Sequence, residues 1–256
     1  MRTRLAFFFA FLALGSGCAF EPFDLGDHTD GDQGHSRWNV SDGMCPGLGS
    51  CGLEVPVAAG ATVRMAVDLP GRRVAELSPV VVSGDAFLGD VRRRPEDELI
   101  TFEVTTSSAG VVELAIVDDG GETVDASRFE VRAPVGLDCG RVPENAALGY
   151  EMDGLLTTNH RLTLATLSSE ESSPQLACLV MDADGAPLLS ADLVHWEVEG
   201  SPRIVRIQSE AFDFIDDGTA DGARIWVNRS AESTPGTTTI DASMGDLVER
   251  FEITVE

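Results

Sequence analysis

The sequence contains no lysine; all 18 of its basic residues are arginine. No side chain can therefore form a Schiff base or supply the ammonium of a phosphate-binding P-loop, and those enzyme classes fall away. Aromatic residues are scarce, with one tyrosine, and the four histidines, His28, His35, His160 and His195, carry no local metal or triad signature. There is no G-x-S-x-G, no H-E-x-x-H and no Walker loop. The 43 acidic residues offer many accidental carboxylate pairs, so none singles out a glycosidase site. Positive charge is outnumbered, giving a net charge of −25 that repels nucleic acid and anionic lipid headgroups. Beyond the first residues, no apolar run approaches the roughly 20 residues that a membrane helix needs.

What is present begins at the N-terminus. Two arginines, Arg2 and Arg4, precede the apolar run Leu5 to Leu14, and Gly15-Ser16-Gly17 lead directly into Cys18. This is the layout of a secretory signal, too short to span a bilayer. The small residues followed by cysteine resemble the lipobox of bacterial lipoproteins, with Gly15 where leucine is usual. The resemblance implies a signal peptide over 1–17 and a diacylated Cys18. With Ala19 next, it also implies residence in the outer membrane, the lipid chains supplying the anchor. The alternative is an ordinary cleaved signal with Cys18 unlipidated.

Setting Cys18 aside leaves Cys45, Cys51, Cys139 and Cys178. An even number in an exported chain argues for disulfides. Of three connectivities, Cys45–Cys51 is favoured because proline and glycines let its short loop turn, with Cys139–Cys178 as the second bridge. A zinc site is disfavoured by the lack of a C-x-x-C knuckle.

Residues 18–35 are rich in Asp and Gly and lack apolar periodicity, which reads as an acidic flexible tether. From Leu53 the pattern alternates with period two. Strands are expected over Leu53–Val57, Ala61–Asp68, Ala75–Val82, Leu99–Thr105, Val111–Val117 and Ser127–Arg132, with Asp118-Asp119-Gly120-Gly121 as a hairpin turn. Ala133-Pro134 marks a boundary. Further strands are expected over Arg161–Leu167, Gln175–Asp182, Leu193–Glu199, Ile204–Gln208, Ala223–Asn228, Thr237–Ser243 and Leu247–Val255. Each half closes on a hairpin whose last strand contains Arg-Phe-Glu, at Arg128 and at Arg250. The expected fold is all-β: two antiparallel sandwiches over 36–133 and 134–256.

Asp182-Ala183-Asp184-Gly185 forms a turn signal, Val194-His195-Trp196 a tryptophan-bearing strand, and Gly236–Ile240 with Phe251–Val255 a closing hairpin. These features resemble bacterial immunoglobulin-like repeats of the group 2 type, most clearly over 155–256 and more loosely over 53–133. The resemblance implies envelope proteins that present, space or bind, without catalysis or a cofactor.

Trp196 is expected in the core, and Asp182 and Asp184 as turn formers. The loop around Asp213, Asp216, Asp217 and Asp221 reads as a solvated acidic loop, with a weak calcium site as the rival. Trp38 and Trp226 are the candidate exposed aromatics. The functional expectation is a non-catalytic, lipid-anchored envelope protein that binds or spaces an unidentified envelope protein. The alternative is a carbohydrate- or calcium-dependent binding module.

Overall fold

The computed structural model describes residues 28–41, 50–142, 160–164, 174–190, 192–199, 205–209, 218–229 and 235–256. These residues form four sheets, and the only helical pieces among them are two short 3-10 turns.

The first sandwich is built from β1 (Thr29–Asp30), β2 (Arg37–Ser41), β3 (Ser50–Cys51), β4 (Val57–Ala58), β5 (Thr62–Asp68), β6 (Leu77–Ser83), β7 (Ala86–Arg94), β8 (Leu99–Thr106), β9 (Gly110–Asp118) and β10 (Thr123–Arg132). One sheet runs β1-β2-β5-β8-β7, with β3 on β2; the other runs β4-β10-β9-β6. In immunoglobulin lettering these are an A-B-E-D sheet and an A′-G-F-C sheet.

The second sandwich comprises β11 (Gly136–Arg141), β12 (Arg161–Leu164), β13 (Gln175–Met181), β14 (Pro187–Leu188), β15 (His195–Glu199), β16 (Val205–Ser209), β17 (Thr219–Asp221), β18 (Arg224–Arg229), β19 (Gly236–Met244) and β20 (Leu247–Val255). Its sheets run β11-β13-β18-β16, with β14 on β13, and β12-β20-β19-β15-β17. The same placement of strands recurs, with β15 in the place of C, and β17 is added on its free side although it follows β16, the strand in the place of D.

Alternation builds these strands. In β5, Val63, Met65 and Val67 are buried, and in register with them on β8 lie Val104, Phe102 and Ile100. Trp38 meets Phe102 edge-on, with ring centroids 6.4 Å apart. In the second sandwich Trp196 is fully buried, 6.0 Å from the Phe251 ring, and its indole N–H donates to the Gly222 carbonyl at 2.6 Å. His195, one residue earlier, points outward.

Several expectations are corrected. Leu53, Val55 and Val57 alternate in burial, but only Val57 enters a strand; 53–55 is a turn whose apolar side chains reach the core without a ladder. Residues 28–35, read as the end of the tether, belong to the first sandwich, because β1 pairs with β2 and the following turn is hydrogen-bonded to β10. Strand β7, at the end of its sheet among the described residues, escapes the sequence reading because its inward residues Ala86, Leu88 and Val91 are only half-buried and fall out of step at a bulge. Its bulge after Gly89 and its run Arg92 to Arg94 guard that edge against unwanted pairing.

Cys139 and Cys178 form a disulfide between directly paired residues of β11 and β13, with Cα atoms 4.0 Å apart. It staples neighbouring strands of one sheet and does not cross between sheets. Cys51 is also disulfide-bonded; Cys45, its expected partner, and Cys18 lie outside the described residues.

Candidate functional site

The most elaborate arrangement of polar groups lies where the sandwiches meet. β10 ends at Arg132, and Ala133-Pro134-Val135 lead into β11, a connection too short to act as a free linker. Beside it, the segment after β14 lies along β4. Val57 and Leu189 form a parallel bridge in which Ala58 N–H donates to the Leu189 carbonyl at 2.8 Å and Leu189 N–H to the Pro56 carbonyl at 2.9 Å. Leu189 thus extends a sheet of the first sandwich with a piece of the second. Val57, Ala58, Leu188, Leu189 and Val194 are buried, and one apolar core runs through both sandwiches.

Carboxylates fasten this junction. Asp182 is almost fully buried, its side chain 4% exposed. One of its oxygens accepts from the Asp184 and Ala186 amides at 2.9 and 2.8 Å, closing the turn. The other accepts from Arg132 Nη1 at 2.7 Å, across the junction. The hydrogen bond from Arg132, followed by those from the turn amides, outweighs the effect of burial and holds the Asp182 carboxyl below the usual carboxylate range. Arg132 also donates to Glu130 at 2.9 Å, and its guanidinium is pushed above its ordinary value by both partners. Asp192 accepts the Thr62 amide on both oxygens, at 2.9 and 3.0 Å, and Val135 N–H donates to the Met181 carbonyl at 2.9 Å. Asp182 is therefore a turn former, as the sequence indicates, and a cross-domain anchor, which it does not.

A second knot lies at the other end of the first sandwich. Asp125 of β10 is wholly buried and accepts four hydrogen bonds: from Gln33 N–H and Ala126 N–H on one oxygen, and from His35 N–H and Ser36 Oγ on the other, all at 2.8–2.9 Å. Ser36 Oγ in turn accepts from the Trp38 indole N–H at 2.7 Å. Burial raises the Asp125 pKa, but the combined hydrogen bonds win and hold it low. The chain's entry into the fold is thereby pinned to its exit strand.

The sequence-nominated binding residues are not brought together. Trp38 is fully buried, which removes it as an exposed aromatic. Trp226 is half-buried, with the Arg224 guanidinium 4.9 Å from its ring centroid. Of the acidic-loop residues, Asp221 is placed in β17 and its carboxylate lies 2.7 Å from His195 Nδ1. Asp213, Asp216 and Asp217 lie outside the described residues. No group of three or more potential metal ligands occurs among the described residues, and no helix among them is long and apolar enough to cross a membrane. Arg132 and Asp192 carried no motif in the sequence; the only local signal was the position of Arg132 just before Ala133-Pro134. Asp125 had none, since three of its four donors lie about 90 residues away.

No protein-family model matches the chain, and no curated protein matches it. Among solved structures it is similar to domains 5–6 of the S-layer protein SbsC, with 15% identity, 79% of this chain and 93% of that one covered, and a TM-score of 0.31. It is also similar to invasin, a bacterial integrin-binding protein, with 14% identity, coverage of 90% and 41%, and a TM-score of 0.32. For the Escherichia coli adhesin FdeC the identity is 12%, the coverage 90% and 65%, and the TM-score 0.30. The immunoglobulin-like assignment stands on the strand order of each sandwich.

Proposed function

We propose that the chain is a non-catalytic, exported spacer and binding module, anchored through lipid on Cys18 at the outer membrane and holding its two sandwiches as one stiff body. The observation that carries this reading is the junction, where a shared core, a bridging strand segment and the Arg132–Asp182 contact replace a flexible linker. Strands of nine or ten residues make each sandwich about 30 Å tall, so the pair stands off a surface by up to about 60 Å. The signal-like N-terminus supports export, and only about ten residues separate Cys18 from the first strand. The strongly acidic surface keeps such a body from collapsing onto an anionic membrane. Phe87, 66% exposed on β7, offers an apolar side-chain contact for an envelope protein.

Small-angle scattering tests the stiffness. The full chain is expected to scatter as a single rigid shape, and Asp182→Ala to broaden the distribution of shapes while both sandwiches stay folded. A wild-type profile that requires many interdomain angles would refute the reading. Export and lipidation are checked by mass spectrometry of the envelope fraction, where a diacylated Cys18 N-terminus is expected.

A further inference from the structure

Building on the spacer and binding reading, we propose that the waist between the two sandwiches docks an extended protein segment that interleaves cationic with apolar side chains.

The described residues include six large apolar side chains that are 37–66% exposed: Val82, Phe87, Val111, Val135, Leu247 and Val248. Scattered singly, such residues are ordinary on a protein surface; gathered at one level of a molecule they mark a contact. The strand registers put all of them beside the junction. Phe87 of β7 lies opposite Thr105 of β8, which lies opposite Thr62 of β5, and the Thr62 amide is the one held by Asp192 of the second sandwich. Val111 of β9 lies opposite Glu130 of β10, whose carboxylate binds Arg132, the partner of Asp182. Val82 stands at the irregularity in β6, just before Gly84. The backbone there packs so closely on Val111 that a Cβ at Gly84 would come within 2.6 Å of the Val111 carbonyl oxygen. Val135 belongs to the connection itself, its amide donating to the Met181 carbonyl. Val248 of β20 lies opposite Ser243 of β19, which lies opposite His195 at the start of β15, and Leu247 precedes it at the hairpin turn. The outward valines serve no core of their own, because Val112 and Leu114 beneath them already close it.

Two observations define the occupant. Val82 and Val111 project from the β4-β10-β9-β6 sheet, whereas Phe87 projects from the opposite sheet of the same sandwich. A compact body seated on one sheet leaves the other uncovered; an extended segment can pass round the waist and reach both. Its charge follows from the carboxylates at the same level. Asp85 lies between Val82 and Phe87, Asp184 in the turn that Asp182 closes, and Asp246 beside Leu247, all of them exposed. The whole chain carries a net charge of −25, so a second copy or another acidic protein is repelled. A segment that sets arginine or lysine against these carboxylates and aliphatic or aromatic side chains against the valines and Phe87 matches the surface in both charge and polarity.

A library of displayed random peptides of about 16 residues, roughly 50 Å when extended, supplies the probe, selected on the full oxidised chain. Enriched sequences are expected to combine Lys or Arg with Val, Leu, Ile or Phe. A synthetic copy is expected to bind more weakly as salt rises, and about tenfold more weakly to the triple variant Val82→Thr, Val111→Thr, Val248→Thr, which keeps the charge and the β-branched shape. Hydrogen exchange on the wild-type chain with bound peptide needs no variant, and protection is expected around Phe87, Val111 and Val248. Enrichment of acidic or uncharged peptides, equal affinity for the variant, or protection confined to residues away from the waist overturns the proposal. So does a concentration-dependent dimer of the chain alone that the variant abolishes, which would make a second copy the occupant. A rigid scattering profile without such binding sinks this inference and leaves the spacer reading intact; waist-directed binding by a chain that scatters with many interdomain angles does the reverse.

Discussion

Replacing Asp125 by asparagine changes one atom in a buried site and should unseat the whole entry segment. The carboxylate is 0% exposed and has four donors aimed at it. Asparagine keeps one oxygen, which can still receive Gln33 and Ala126, but it turns an NH2 toward His35 N–H and Ser36. Ser36 Oγ can accept in place of donating; the His35 amide has no such freedom and is left buried without a partner. An orphaned buried donor costs about 1–3 kcal/mol, and the remaining bonds lose their charge assistance, so about 2–4 kcal/mol is expected at neutral pH. For two sandwiches that share one core, a body of roughly 200 residues, that lowers Tm by about 5–15 °C. The effect should depend on pH with a definite sign. Because the folded-state pKa is depressed, the stabilisation is fully present above the unfolded value near 3.9 and is lost as pH falls through the folded value. The gap between wild type and Asp125→Asn should therefore be constant from pH 7 to about 5 and shrink below about 4. Asp68, whose carboxyl burial pushes up, works in the opposite sense but is common to both proteins and cancels in the difference. Calorimetry of the pair across pH gives the gap, and hydrogen exchange at the Gln33 and His35 amides locates it. A Tm shift below about 2 °C, or a gap that stays undiminished at pH 3, would refute the reasoning.

Other outcomes follow from the same structure. Cys139→Ser opens a loop of 39 residues, for which the chain-entropy relation gives about 4 kcal/mol as a ceiling, and a loss of about 2–4 kcal/mol is expected in urea titration; identical midpoints with and without reductant would contradict it. Trp196→Ala removes the largest side chain from the second core together with its hydrogen bond to Gly222, and should cost about 3–5 kcal/mol by thermal melt, against less than about 1 if the ring were peripheral.

The strands with one buried face were legible in the sequence, and the reason is visible in β5, β8 and β20, where burial alternates residue by residue. The strands that were missed break that rule. In β2 three consecutive residues, Trp38 to Val40, are buried, so no period appears, and Trp38 looked like a surface aromatic. In β7 the half-buried residues Ala86 and Leu88 alternate, but the bulge after Gly89 shifts the next one to Val91 and breaks the period. In β17 three residues of an acidic stretch are recruited by pairing with β15, a contact that no local pattern encodes. Conversely, the alternation over Leu53 to Val57 came from a turn that buries its apolar side chains without a backbone ladder.

By itself the sequence determined an all-β chain, a signal-like N-terminus and a core role for Trp196. These are properties of spacing, composition and short motifs, which act over a few residues. Only the tertiary structure decided that the two sandwiches share one core, that Asp182 is a cross-domain anchor as well as a turn former, and that Asp125 fastens the entry segment. Each depends on groups brought together from 50 to 130 positions apart. A carboxylate's role is set by which donors surround it after folding, and the order of residues along the chain does not carry that information.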